Sequence, residues 1–164
     1  MEFSNNNRPV WAPWRIDFIR GEKDTKCFLC DKERTDSIDE ELVVARMEHV
    51  FIILNRYPYN PGHLLISPYR HIASLQEMTG QERKQLFDAV IAGQEALTEV
   101  MQPEGFNIGF NLGKVAGAGL ESHIHMHIVP RWNGDTNFMP VIGGARVVPE
   151  ALCATAELLR NALN

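Results

Sequence analysis

Long apolar runs are missing from this sequence. Nothing approaches the roughly 18 to 20 consecutive apolar residues of a transmembrane helix, and the opening stretch Met1-Glu-Phe-Ser-Asn-Asn-Asn-Arg8 lacks the apolar segment of a signal peptide. The expectation is a cytoplasmic protein with no membrane partner. Cysteine is scarce, three in 164 residues, which excludes the disulfide framework of a small secreted domain. Two of the three are spaced Cys27-x-x-Cys30, a pair that in a reducing compartment points to metal or redox chemistry. Positive charge is also short: 16 Lys and Arg stand against 21 Asp and Glu, a formal charge of −5. Broad contact with a nucleic-acid backbone is therefore not expected. A single polyphosphate pocket needs only a few cations, and Arg15, Arg56, Arg70, Lys114 and Arg131 lie in or near the segments that matter. Internal repeats and low-complexity tracts are absent.

What is present suits one compact domain, with 45% hydrophobic and 23% charged residues in a chain of ordinary domain length. Residues 1–26 read as an N-terminal arm. Trp11 and Trp14 in Trp11-Ala-Pro-Trp14-Arg15 must find cover on the body or on a second subunit. Residues 27–164 read as a single domain. After the charged stretch Asp31 to Glu41, a solvated connection or short helix, the pattern turns to β. Leu42–Met47 and Val50–Leu54 are rich in β-branched and apolar residues and read as a hairpin. Pro58, Asn60, Pro61 and Gly62 make a loop, and His63–Ser67 is a third strand closed by Pro68.

Thr79-Gly-Gln-Glu82 offers a capping box, so a long helix is expected to follow. Leu86, Val90, Leu97 and Met101 keep helical spacing, and Pro103 lies just past the end. Gly105–Leu112 alternates as a fourth strand, Gly113, Gly117 and Gly119 form a loop, and His123–Val129 is the fifth strand. Leu152, Ala156, Leu159 and Leu163 suit a short amphipathic C-terminal helix. Cys153 in that helix is expected to be a packed thiol. The fold class is α+β: a mainly antiparallel five-stranded sheet, one long helix between the third and fourth strands, and a short C-terminal helix.

The run His123-Ile-His125-Met-His127 carries the chemistry. In a strand, side chains alternate faces, so the three imidazoles are expected on one side and Ile124, Met126 and Ile128 on the other. Three imidazoles along one face are hard to explain by packing, because each brings nitrogens that need partners when buried. The spacing admits two chemistries. Histidines at i and i+2 on a strand can share a zinc ion that activates water. Alternatively, a neutral imidazole attacks phosphorus directly, since its pKa near 6.5 leaves a lone pair at neutral pH.

The string His123-Ile-His125-Met-His127-Ile-Val-Pro-Arg131 resembles the histidine triad signature. Leu54-Asn55-Arg-Tyr-Pro-Tyr-Asn-Pro-Gly62-His63-Leu-Leu-Ile-Ser-Pro68 resembles that family's second conserved block, at the expected distance upstream. The resemblance covers residues 27–132. It implies a nucleotide-processing enzyme, usually a homodimer, in which His125 attacks the α-phosphorus and forms a covalent nucleotidyl-histidine. His127 and His63 match positions that contact the phosphate or hold the site. Asn55 matches a ribose-binding position, although a turn or capping role at a strand end fits it equally. Many members carry a glutamine and a hydroxyl residue before the first histidine. Here the stretch is Gly117-Ala-Gly-Leu-Glu-Ser122, which leaves Ser122 and Asn111 as candidate nucleotide-binding donors.

Two thiolates at Cys27 and Cys30 need two more ligands to hold structural zinc, and His71 and His123 are the candidates. Bacterial members of the family often carry this arrangement, which would make His123 structural. No organic cofactor is expected. Trp11–Arg15 and Pro130–Pro140 resemble the bacterial branch whose members cleave diadenosine polyphosphates, some by phosphorolysis. The competing readings are a nucleoside phosphoramidate hydrolase of the same family and a zinc-dependent hydrolase that uses the triad as metal ligands.

Overall fold

The computed structural model describes residues 27–30, 41–135 and 151–163. The N-terminal arm at 1–26, most of the charged stretch before residue 41 and the segment 136–150 lie outside the described residues. In chain order the elements are β1 (Val43–Arg46), β2 (Val50–Leu54), β3 (Leu64–Pro68), α1 (Gly80–Met101), β4 (Gly105–Phe110), β5 (Met126–Arg131) and α2 (Leu152–Leu163), with short 3-10 turns at Leu75–Glu77 and Lys114–Ala116. All neighbours in the sheet pair antiparallel, in the order β1-β2-β3-β5-β4. The α+β architecture expected from the residue pattern is therefore the one observed.

Thr79 caps α1 by the reciprocal arrangement its sequence promised: its hydroxyl accepts from the Glu82 N–H, and the Glu82 carboxylate accepts from the Thr79 N–H. The helix lays Leu86, Ala89, Val90, Gly93, Ala96 and Leu97 against the sheet. Gly93 marks the closest approach. A Cβ there would sit 3.2 Å from the Ile128 Cδ1 and 3.3 Å from the Leu64 Cδ1. Ile52, Leu64 and Ile128 thus form the helix-facing side of the three central strands, and all three are fully buried. In the pleat, partners across antiparallel strands share a face. Leu65, His127 and Gly109 stand in register on the opposite side, which is where the site develops.

Two expectations shift. The fifth strand begins at Met126, not at His123. Residues 123–125 run beyond the ladder and are held otherwise: the Ile124 N–H donates to the Ile72 carbonyl at 2.7 Å, and the Ser67 hydroxyl donates to the Ile124 carbonyl at 3.0 Å. Cys153 is exposed, not packed. The buried stripe of α2 runs through Thr155, Ala156 and Leu159, and position 153 falls off it. Its thiol instead lies 3.4 Å from the Glu41 carboxylate.

Candidate active site

The loop from Asn55 to Gly62 delivers His63 to the sheet. Gly62 has a φ of 73°, and a Cβ on it would come within 2.5 Å of the Met101 Sδ and 2.9 Å of the Leu97 Cδ2. Glycine is therefore required twice over, by conformation and by space. His63 follows it with no exposed surface.

The hydrogen bonds around His63 and His127 fix where their protons sit. A main-chain amide can only donate, so the Tyr59 N–H, 3.0 Å away, makes the His63 Nδ1 an acceptor. The Asn55 side-chain nitrogen lies 3.2 Å from the same atom. The proton of a neutral His63 is then on Nε2, and it donates to the His127 Nδ1 at 2.9 Å. His127 in turn carries its proton on Nε2, which lies 3.3 Å from the amide of Asn111. His125 obeys the same logic through a different partner. A carbonyl can only accept, so the His125 Nδ1–H donates to the His123 carbonyl at 2.8 Å, and the lone pair is left on Nε2. Burial pushes the His125 pKa below the ordinary histidine value, with the bond to the His123 carbonyl opposing that shift. At neutral pH its ring is uncharged and next to His127, centroid to centroid 5.0 Å.

His123 belongs to a second cluster. Its Nε2–H donates to the Pro68 carbonyl at 2.9 Å, which turns the Nδ1 lone pair toward two sulfurs, Cys30 Sγ at 3.2 Å and Cys27 Sγ at 3.3 Å. The His71 Nδ1 lies 3.0 Å from the Cys30 Sγ. The four ligand atoms all lie within 4.8 Å of one another. Burial, then the side-chain hydrogen bond with Cys30, pushes the Cys27 thiol up to about 11. A divalent cation removes that cost, since it replaces the protons on both sulfurs.

The remaining candidates divide. Asn111 is brought to His127, as above. Asn55 is committed locally, its Oδ1 accepting the Tyr57 N–H at 2.9 Å and its nitrogen approaching His63. Ser122 is exposed on the turn before His123. Two of the expected cations are neutralised by carboxylates. The Arg70 guanidinium grips Glu82 at 2.7 Å through Nε and again through Nη2. That pairing holds the Glu82 carboxyl down at about 2, against the smaller opposing effect of burial. Arg131 grips Asp135 through Nε and Nη2 and holds that carboxyl well below the usual carboxylate range. Its Nη1 donates to the Asn107 Oδ1 at 2.6 Å. Arg15 lies outside the described residues.

Reading by residue type passed over Tyr59. Its ring lies 4.6 Å from His63 and 5.7 Å from His127, stacked at 18° on the latter. The signal was an aromatic residue flanked by Pro58 and Asn60, four residues before a buried histidine. Beside His127 opens a cavity of about 360 Å³, lined by Tyr59, Asn107, Gly109, Asn111 and Arg131. Gly109 stands directly across from His127 on β4 and contributes no side chain to close it.

The HIT domain matches residues 37–134. This chain is a member of the HIT family. It is 40% identical over 158 residues to the AP-4-A phosphorylase of Mycobacterium tuberculosis, an overlap covering 92% of this chain and 81% of that protein. It is also 35% identical over 82 residues to the asymmetrical bis(5'-nucleosyl)-tetraphosphatase of Schizosaccharomyces pombe, an overlap covering 50% of this chain and 44% of that one. Among solved structures, a zinc-bound histidine triad family protein from Mycobacterium smegmatis superposes with a TM-score of 0.67 at 28% identity, covering 84% of this chain and 93% of that one. The HIT fold of that neighbour has the same antiparallel sheet and helices.

Proposed function

We propose that this HIT protein is a nucleotidyl transferase or hydrolase that cleaves dinucleoside polyphosphates of the diadenosine tetraphosphate kind, with His125 as nucleophile. The observation that carries the reading is the lone pair left on the His125 Nε2 by the bond from its Nδ1–H to the His123 carbonyl. The likeness to the M. tuberculosis phosphorylase supports the substrate class. In the first step the His125 Nε2 attacks the α-phosphorus, the bond from phosphorus to the bridging oxygen breaks, and its electron pair leaves with the polyphosphate. The imidazole becomes cationic as the new P–N bond forms, and the His123 carbonyl, already accepting from Nδ1, stabilises that charge. The His127 Nε2–H lies ready for a phosphate or leaving-group oxygen, with His63 holding its ring from behind. In the second step water or inorganic phosphate attacks phosphorus, and the P–N electron pair returns to the His125 Nε2. Asn111 and Ser122 are the donors proposed for the nucleotide, and Asn55 reaches a ribose hydroxyl through the second lone pair of its Oδ1.

Cys27, Cys30, His71 and His123 are the residues that would hold zinc. The fit rests on four nitrogen and sulfur donors with one histidine oriented by a carbonyl behind it. The ion would supply cross-linking, tying residues 27–30 to the end of the sheet, and no step of the reaction passes through it. The zinc-bound M. smegmatis neighbour supports this assignment. The alternative in which the triad itself binds a catalytic metal is disfavoured: His123 is turned on the two sulfurs and the His127 Nδ1 accepts from His63, which leaves one triad lone pair facing the site, on the His125 Nε2. A cytoplasmic homodimer is part of the same proposal. Phe87 and Ile91, one turn apart and exposed on α1, support a subunit contact.

The test is incubation of purified protein with labelled diadenosine tetraphosphate, with and without inorganic phosphate, followed by a denaturing quench at alkaline pH, where a P–N bond survives. A labelled nucleotide bound to wild type and absent from His125→Ala is the expected outcome. No turnover in either condition would sink the reading, and the products distinguish phosphorolysis from hydrolysis.

A further inference from the structure

Tyr59 makes three contacts that converge on one pair of imidazoles. Its main-chain N–H donates to the His63 Nδ1, its ring backs both His63 and His127, and its hydroxyl lies 3.3 Å from the Asn111 amide. The same amide end lies 3.3 Å from the His127 Nε2. The two ends of an amide are alike in shape, and the surrounding donors decide which one faces inward. The His127 Nε2 carries a proton by the chain of bonds through His63, so the amide end facing it must accept. With the carbonyl oxygen of Asn111 in that place, it takes one bond from the His127 Nε2–H and a second from the Tyr59 O–H, and its NH2 group turns away toward the open site.

We propose that Tyr59 is a positioning residue: its ring and hydroxyl hold His127 as a proton donor at Nε2 and set the Asn111 amide with its NH2 toward the phosphate. The ring also covers the His63–His127 bond against water. Tyr59 forms no bond to substrate in this role and acts through its neighbours. The inference rests on the functional reading above for its catalytic consequence, but the geometry it invokes is measurable without any substrate.

Removing the hydroxyl alone, Tyr59→Phe, costs one hydrogen bond to Asn111 and should lower kcat by about fivefold. Removing the ring, Tyr59→Ala, lets His127 drift and should lower kcat by about 100-fold with KM changed less than about twofold. The loss should be greatest where the leaving group needs a proton. A nucleoside phosphoramidate, which expels an amine, should suffer at least about tenfold more than the p-nitrophenyl ester of the same nucleotide, which expels a stable phenolate.

The deciding measurement is the imidazole region of the proton–nitrogen NMR spectrum of the full chain at neutral pH. Wild type and Tyr59→Phe should both show a water-protected resonance for the His63 Nε2–H and a Nε2-protonated, neutral His127. In Tyr59→Ala that resonance should be lost to exchange, and Tyr59→Leu carries the same test should the alanine variant not fold. A ring-deleted variant that keeps the protected resonance overturns the proposal, as does one that loses both leaving-group classes equally. Should wild type turn over no nucleotide at all, the functional reading falls while the spectrum still judges Tyr59.

Discussion

The two ends of the histidine run differ in everything except residue type. At one end His123 lies beyond the strand, its outer nitrogen bonded to a carbonyl and its inner nitrogen turned on two sulfurs. At the other, His127 lies inside the strand and takes its hydrogen bond from a second imidazole. His125 between them borrows from both: it bonds to the carbonyl of the first and packs against the ring of the second. Which nitrogen an imidazole offers, and whether it offers a lone pair or a proton, is thus decided by the atom behind it. A carbonyl behind Nε2 leaves the lone pair on Nδ1, a carbonyl behind Nδ1 leaves it on Nε2, and an imidazole N–H behind Nδ1 leaves a proton on Nε2; on the proposed reading these become the metal ligand, the nucleophile and the donor.

The comparison breaks most readily at its centre. His125→Ala should lower kcat on the order of 10⁴-fold or more, with the melting temperature within a few degrees of wild type. Steady-state kinetics and a thermal melt check both parts, and a small activity loss would remove His125 from the nucleophile's role. At the sulfur end, Cys30→Ser should abolish zinc retention, read by elemental analysis, and lower the melting temperature by about 10 °C, since ligand binding there is also folding energy. Chelation of wild type should reproduce that drop. At the imidazole end, His63→Ala and His127→Ala should each lower kcat, and the double variant should lose less than the product of the two. A coupling of about 1–3 kcal/mol is expected for residues sharing one hydrogen bond, and strict additivity would show that the two rings act apart.

The smallest effect sharpens the sulfur end alone. Arg70, the neighbour of His71, is anchored on Glu82. The Glu82 carboxyl is held at about 2, below its usual 4.5. Its contribution to stability is therefore complete above about pH 5 and is lost as pH falls toward 2. Glu82→Gln should cost about 1–2 kcal/mol at neutral pH, a figure reduced for the solvent that reaches Arg70, and should flatten the acid limb of a stability-versus-pH curve. Zinc affinity should weaken while the kinetics of the His127 end stay unchanged.

Most of the scaffold was legible because its signals are local. Thr79 and Glu82 are three residues apart, Val50–Leu54 is a dense β-branched run, and the period of α2 is written in Leu152, Ala156 and Leu159. The start of β5 was not legible. Alternation continues unbroken from His123, and what ends the ladder at Met126 is a set of bonds from Ile72 and Ser67, more than fifty residues upstream. In the candidate site, His63 and His127 were expected together from family blocks, yet nothing in either segment discloses the direction of the proton between them. That depends on a main-chain amide at position 59. Arg70 and Arg131 looked like phosphate ligands because cationic side chains near a site carry no mark of their partner. Only the fold brings Glu82 and Asp135 against them.

Gly93 has a mechanical consequence. Where α1 lies directly on Ile52, Leu64 and Ile128, the helix touches the sheet through backbone with no side chain to act as a spring. The strand that carries His127 is thereby seated directly on the helix one residue from that histidine. Amide exchange should be slowest at Ile52 and Ile128. The His127 imidazole would then keep its place while a nucleotide enters, because the strand beneath it has nowhere to yield.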